Sequence, residues 1–481
     1  MELIVLLFIP LLGMVASFLP KREYAFLVLS GIDLGIGVEI CRKVLEEGRI
    51  FALSNYLFAD SLSVLLILII TVLSFLAGIY SIPYLSAENV NEKAKSKFYF
   101  LINAFIFSML LTAVSNNLGI LWVGIEATTL STAFLVSFYK NPPSLEAGWK
   151  YLIICSVGIA FALFGIVILF FSVAPYLGYE ADVLNWTNLM SAATSNKINI
   201  NLAKLAFAFA LIGFGTKMGL APMHTWLPDA HSQAPSPVSA LLSGVLLNCA
   251  AASILRIGNV LGATGEKEIV SNLLIFFGTL SVFLAGLFLL KQKDYKRMFA
   301  FSSMEHMGLI AMSSGFGGMG IFAAMFHMLN HAFTKSLLFM SAGNVLCSLH
   351  TREIEKIRGL FKTMPITAFL LGLGTLAITG TPPFNIFSSE FLIITSGFVT
   401  HHLWAVGIAL AGLTMVFAGL GFHVTKMLFG EPSFEGNREV SFIQLLTPVI
   451  LLIIVLVGGI YMCQPVEELL NDIQNNVLRF V

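Results

Sequence analysis

The sequence predicts an all-α membrane protein that crosses the bilayer many times, and three observations carry that prediction. Of its 481 residues 57% are apolar and only 11% charged, with a mean hydropathy of +0.88; soluble domains carry about 25% charged residues. Apolar runs near the length that spans about 30 Å of hydrocarbon recur from end to end. The few ionisable residues inside those runs, Lys217 and Glu390 above all, stand beside glycine and proline breaks. The formal net charge is zero, from 27 basic and 27 acidic residues, which gives no hint of nucleic-acid binding. Cys41, Cys155, Cys249, Cys347 and Cys463 are scattered without metal-like spacing. The chain therefore offers no iron–sulfur ligands, and no cofactor is expected on it.

About fourteen spanning segments are expected, at 3–19, 25–41, 58–82, 99–115, 118–138, 149–174, 203–221, 238–257, 270–290, 298–314, 319–346, 366–397, 402–425 and 443–463. The first ends at Pro20-Lys21-Arg22 and lacks both a basic n-region and a small-residue cleavage site, so it reads as a retained helix. The seventh segment runs into Gly219 and Pro222, which break it. The twelfth, 366–397, is too long for one plain helix, and Gly380-Thr-Pro-Pro383 interrupts it. Broken helices at matching places in two halves point to an ion site. The spacing fits one polytopic domain over 1–481, with two inverted five-helix repeats at about 99–257 and 270–426 and peripheral helices at about 3–82 and 443–463. Tyr176–Asn201 is the longest loop, polar and without a catalytic pattern, and Gln464–Phe480 reads as a short amphipathic tail.

Loop charge sets the orientation. Seventeen Lys/Arg fall on the side of the loops that follow odd-numbered segments and eight on the other, with Lys217 and Lys335 inside the membrane. The basic side is expected in the cytoplasm, leaving both termini outside a cell (inner or plasma) membrane.

A charge at mid-bilayer costs about 2.5–3.5 kcal/mol on insertion scales, so a lysine such as Lys217 calls for an inward-facing partner. The bland reading has it snorkelling to the headgroups; its place some fifteen residues into the apolar run speaks against that. Glu126, inside 118–138, is the candidate partner; the plain alternative is a neutral, hydrogen-bonded acid that holds helices together. His327, His331 and Lys335 recur at i, i+4 and i+8 and share one helix stripe. Two histidines leading to a lysine read as a proton relay, whereas a single histidine there would read as packing. Glu305 and His306 open the tenth segment and either extend the path or cap and anchor the helix. His224, Asp229 and His231 either form an outer vestibule or satisfy the freed backbone of the break. Their spacing matches no closed tetrahedral set, so no metal is expected. Gly315-Phe-Gly-Gly-Met-Gly320 fits GxGxxG by letter, but it follows no strand and reads as a tight turn.

Gly215-Thr-Lys-Met-Gly-Leu-Ala-Pro-Met-His-Thr-Trp-Leu-Pro-Asp-Ala-His231 and Pro235-Ser-Pro-Val-Ser-Ala-Leu-Leu-Ser243 resemble the signature of the proton-translocating, antiporter-like membrane subunits. That superfamily is shared by respiratory complex I, multisubunit cation/proton antiporters and membrane-bound [NiFe] hydrogenases. Ser302-Ser-Met-Glu-His-Met-Gly308, Leu246-Leu-Asn-Cys249 and Thr381-Pro-Pro-Phe384 most resemble component F of hydrogenase-4. The resemblance implies a fifth-helix glutamate, Glu126, paired with the seventh-helix lysine, Lys217. It also implies the stripe His327, His331, Lys335 and a terminal exchanger at Glu390. Where many relatives carry an eighth-helix lysine or histidine, this chain has Asn248 and Ser243, so either those residues hold water or the path runs through the eleventh helix.

The resulting expectation is an ion-translocating subunit of a redox-driven complex, in which partners supply the chemistry. Those partners are other membrane subunits, including paralogous antiporter-like ones, and peripheral [NiFe] hydrogenase-like and iron–sulfur subunits in a lipid bilayer. Separating or closing the Glu126–Lys217 contact would shift the lysine's proton affinity. One pKa unit is about 1.4 kcal/mol, and moving a charge against 100 mV costs about 2.3 kcal/mol, so a swing of two or three units is the required scale. The alternatives are a Na⁺/H⁺ antiporter subunit without a redox partner and a scaffold whose buried charges fix packing.

Overall fold

A computed structural model describes residues 1–481. The long helices in chain order are α1 (Glu2–Ala16), α2 (Arg22–Glu47), α3 (Ser61–Ala87), α4 (Glu92–Val114), α5 (Leu118–Val136) and α6 (Pro142–Leu177). The short α7 (Trp186–Thr194) precedes α8 (Ile200–Met218), and α9 (Trp226–Gln233) and α10 (Ser236–Leu241) follow it. A π turn, Leu242–Leu246, joins α10 to α11 (Leu247–Leu261). Then come α12 (Lys267–Leu289), α13 (Tyr295–Phe316), α14 (Met319–Leu349), the one-turn α15 (Leu360–Thr363), α16 (Pro365–Ile378), α17 (Asn385–Val399), α18 (Leu403–Leu428), α19 (Phe442–Ile460) and α20 (Gln464–Asp472).

Short polar residues start these helices by accepting the first free amides. Asn91, Asn117, Asn141 and Asn199 each accept from the backbone N–H groups opening α4, α5, α6 and α8. Asp60 and Asp294 do the same for α3 and α13. Capping by Asn141, with Pro142 behind it, sets the start of α6 seven residues before the expected 149.

Ten helical stretches are long and apolar enough to cross a membrane, and α1, α16 and α17 are apolar but shorter. The longest such stretch, Ser236–Leu289, is divided at Gly265, whose φ of 94° only glycine adopts freely. Large apolar side chains cover the outside, among them Phe134, Trp149, Phe164, Phe171, Phe391 and Phe417. Such a surface is stable in hydrocarbon and not in water, so the chain is a multi-pass membrane protein.

Several helix pairs touch backbone to backbone, α6 with α8 and α12 with α13 among them. A Cβ on Gly213 would lie 2.4 Å from Ala162 N, and one on Gly278 would lie 2.5 Å from Met312 N and 2.6 Å from Gly308 O. Small residues at such seams let membrane helices pack by van der Waals contact, locking α6 to α8 and α12 to α13.

Two features depart from the expected plan, and the expected amphipathic tail packs onto the bundle. Ile50–Ala52 and Leu57–Ala59 form a small antiparallel hairpin in an otherwise helical chain. The long loop is ordered by α7, because Trp186 stacks on Phe58 (5.7 Å between rings) and its Nε1 donates to Arg256 O at 3.0 Å. The tail docks: Asn259 Nδ2 donates to Val477 O at 2.8 Å, and Phe480 N donates to Asn259 Oδ1 at 3.0 Å. The 315–320 glycines form the expected turn between α13 and α14, with Gly317 at φ 69° and Gly318 at φ 46°.

Candidate ion-translocation site

α8 ends one residue after Lys217, at Met218, and Gly219 (φ 80°) caps it in the left-handed conformation. Lys217 is fully buried. Its Nζ donates to Thr129 Oγ1 at 2.7 Å and Tyr151 OH at 2.6 Å, and Tyr151 OH lies 2.6 Å from Thr132 Oγ1. The expected Glu126–Lys217 ion pair is not formed. Glu126 is half-buried and accepts from Ser156 Oγ at 3.0 Å, while its Oε2 has no partner. Thr129 stands three residues after Glu126 on the same face of α5, so the lysine meets the right helix and a hydroxyl one turn along.

Other side chains serve the backbone freed by this break. Trp226 Nε1 donates to Thr216 O at 2.8 Å, Ser281 Oγ accepts from Ala221 N at 2.9 Å, and Lys296 Nζ donates to Ala234 O at 2.6 Å. Asp229 instead pairs with Lys150 (3.4 Å) and Arg297 (3.1 Å). His224 packs on Phe288 (5.6 Å). His231 is fully buried, stacked 5.2 Å from Phe339 and 6.5 Å from Trp226, with both ring nitrogens unpartnered. These three residues do not converge on a metal site. Trp226 also lies 5.0 Å from Tyr151, so His231 stands next along from the lysine.

The centre is polar but lacks charge. Ser243, in the π turn, lies 2.8 Å from Ser303 Oγ. Asn248 Nδ2 donates to Gly244 O at 2.8 Å, leaving its buried Oδ1 unpartnered. π turns inside helices recur at functional sites.

The third part assembles most of the remaining predicted residues. All three members of the α14 stripe are fully buried. His327 Nε2 lies 2.9 Å from His306 Nδ1, and His327 Nδ1 lies 2.9 Å from Ser389 Oγ on α17. The His331 ring is 5.2 Å from that of His306, with neither nitrogen bonded. Lys335 Nζ donates to Phe299 O at 2.8 Å and to Ser302 Oγ. Glu305 and His306 are not caps: Asp294 caps α13, and these two lie buried in its middle. Glu390, beside the second break, presses its Oε2 against Gly380, where a Cβ would lie 1.9 Å away.

Several buried polar groups escape sequence reading. Lys296 and Arg256 count as loop charges by position, yet both are buried. Arg256 binds Asp60 through two bonds of 3.0 and 2.8 Å, with its guanidinium 4.7 Å from the centre of the Phe58 ring. Asp33, midway along α2, is 4% exposed with Oδ1 unpartnered. Tyr151, after Lys150, and Ser389, between Ser388 and Glu390, carry no distinct sequence signal of their own.

Fold and site define a membrane subunit with a file of ionisable side chains inside its bundle. The chain belongs to the NADH:quinone oxidoreductase/Mrp antiporter transmembrane family, whose model matches residues 115–416. A second model, the NADH-ubiquinone oxidoreductase (complex I) chain 5 N-terminus, matches residues 48–99. The chain is 39% identical over 383 residues to a hydrogenase-4 component F homolog of Methylacidiphilum infernorum, covering 79% of this chain and 80% of that one. It is 33% identical to hydrogenase-4 component B of Escherichia coli, covering 77% of this chain and 55% of the relative. With Na(+)/H(+) antiporter subunit A1 of Staphylococcus haemolyticus it is 30% identical, over 84% of this chain and 52% of the relative. A chain of the archaeal membrane-bound sulfane sulfur reductase superposes with a TM-score of 0.89 at 25% identity, covering 99% of this chain and 98% of that one. A chain of the Mrp complex of Dietzia sp. superposes at 0.86 and 16% identity, covering 99% and 96%, and shows the shared fold.

Proposed function

We propose that the chain is a proton-translocating subunit of a redox-driven membrane complex, and that protons move along its midplane from Glu126 and Lys217 through His231 and the Asn248 region to His331, His327, His306, Lys335 and Glu390. The observation that carries the reading is the His306–His327–Ser389 chain, with Glu305, His331, Lys335 and Glu390 buried around it. Ionisable groups inside a membrane protein are costly and mark ion routes. Unpartnered nitrogens on His231 and His331 and oxygens on Asn248 and Glu390 leave room for water or a proton to bond. Lys217, held by two hydroxyls, acts as the switch: a partner-driven shift of α5 or α6 would change its surroundings and pass its proton toward His231.

The architecture that goes with this reading has fourteen crossings and inverted repeats at about 99–257 and 270–426. The breaks after Met218 and Ile378 lie at matching places in the two halves, and both termini lie outside the cytoplasm. Similarity to the hydrogenase-4 components favours a hydrogenase-linked complex with paralogous membrane subunits and iron–sulfur partners. Similarity to a Na(+)/H(+) antiporter subunit keeps one alternative, an antiporter assembly without redox partners. Purifying the intact complex separates the two by whether a redox subunit accompanies the chain. Within a redox complex, Lys217→Met should abolish pumping with assembly intact; an unchanged proton-to-electron ratio would refute the path.

A further inference from the structure

Glu305, His306 and Glu390 each direct one donor atom at a common point, and those atoms lie within 4.8 Å of one another. His306 Nε2 is 3.3 Å from Glu305 Oε2. Glu305 and His306 are fully buried and Glu390 is 8% exposed. Both Glu305 oxygens, His306 Nε2 and Glu390 Oε1 lack hydrogen-bond partners. Two facing carboxylates cannot both stay ionised in an apolar interior unless a cation or protons offset them.

We propose that this triad is a binding site for a divalent ion of the zinc type, which plugs the proton path when it occupies the site. A set of two carboxylate oxygens and one imidazole nitrogen suits Zn²⁺ and disfavours Na⁺, which seeks oxygen alone. Three protein ligands leave a fourth position for water, as in open zinc sites. Donor atoms on one zinc ion lie about 3.4 Å apart, given bonds of about 2.0–2.2 Å, so closure needs roughly an ångström of movement by flexible glutamates.

The histidine is already aimed. Its Nδ1 is engaged by His327 Nε2 at 2.9 Å, and His327 Nδ1 by Ser389 Oγ at 2.9 Å, which leaves Nε2 for the ion. Bonds of this kind from the far ring nitrogen orient metal-bound histidines. The site lies close to the outside of the bundle, at the second break, where Thr379–Thr381 are partly exposed, Pro382 and Pro383 are exposed, and Gly380 touches Glu390. Lys335 faces the cluster from α14 but is bonded to Phe299 O and Ser302, so it does not fill the site.

The plugging half of the proposal rests on the proton-path reading; the binding half stands on geometry. The test uses the intact complex, stripped with chelator and titrated with Zn²⁺ alone. Bound metal is counted, and its ligands are read by X-ray absorption. The expected result is one zinc with nitrogen and oxygen ligands, absent from Glu305→Gln and Glu390→Gln and retained in Lys217→Met. His327→Ala, which removes a positioning residue, should weaken binding about 10- to 100-fold. Zinc bound at full stoichiometry in both glutamine variants, or no zinc with this ligand set in the wild type, overturns the site and leaves the proton path standing. If Glu305→Gln does not assemble, Glu390→Gln carries the same comparison. A Lys217→Met complex that still pumps overturns the path, while the zinc count still decides the site. In proteoliposomes, zinc should slow proton uptake by the wild-type complex; uptake unaffected at saturating zinc overturns the plug.

Discussion

His306 Nδ1 and His327 Nε2 lie 2.9 Å apart on neighbouring helices, close enough for one proton to belong to either ring. Because each ring fixes the protonation of the other, the two should act as a unit. His306→Ala and His327→Ala are each expected to cut pumping at least about tenfold, and the double variant should be no worse than the poorer single one, since members of a unit are not additive. Dye-reported acidification of proteoliposomes measures this; independent losses that multiply would separate the two residues.

Tyr151 and Thr129 hold Lys217 in the place expected of Glu126. Tyr151→Phe keeps the ring and removes the hydroxyl, so pumping should fall several-fold while the complex stays assembled. Glu126→Gln should be milder than Lys217→Met, because the carboxylate does not touch the amine. Equal losses in those two variants would restore a direct pairing during turnover.

Arg256 and Asp60 are 4% and 1% exposed at their side chains and bound through two contacts. Arg256→Met strands a buried carboxylate and should destabilise the protein by about 3–5 kcal/mol. Arg256→Lys should recover only part of that, because an ammonium cannot make the paired contact. Thermal unfolding in detergent, followed by retention on size exclusion, reads both.

Gly380 holds φ 65° with Glu390 Oε2 where a Cβ would stand. Gly380→Ala adds left-handed strain of about 1–2 kcal/mol and drives the carboxylate out of the cluster. Pumping should be lost at near-normal abundance, measured by immunoblot alongside transport.

Much of this architecture could be read from the chain because hydrocarbon imposes simple demands. Long apolar runs, the break at Gly380–Pro383 and the four-residue spacing of His327, His331 and Lys335 all reappear in the helices. The misses share one cause. Lys296 and Arg256 lie near the ends of apolar runs, where a cation usually reaches water, and only their neighbours decide that they do not. Asp60 is the cap of α3 and the counter-ion of a residue 196 positions away, a pairing that no local pattern encodes. Lys217 likewise meets the helix that carries Glu126 but bonds Thr129 one turn along and Tyr151 on α6, a choice that the surrounding side chains make and no local pattern encodes.

Backbone contact between Gly278 and Gly308 has a mechanical consequence. It bolts α13, and with it Glu305 and His306, to α12 as a stator. Opposite stands α17, a fifteen-residue piece that begins just after the second break and buries a polar strip of Asn385, Ser389, Glu390 and Ser396. In the proposed path, a shift of this short arm would move Glu390 relative to the glycine-locked pair, making or breaking the last contact of the file while Glu305 and His306 stay in place.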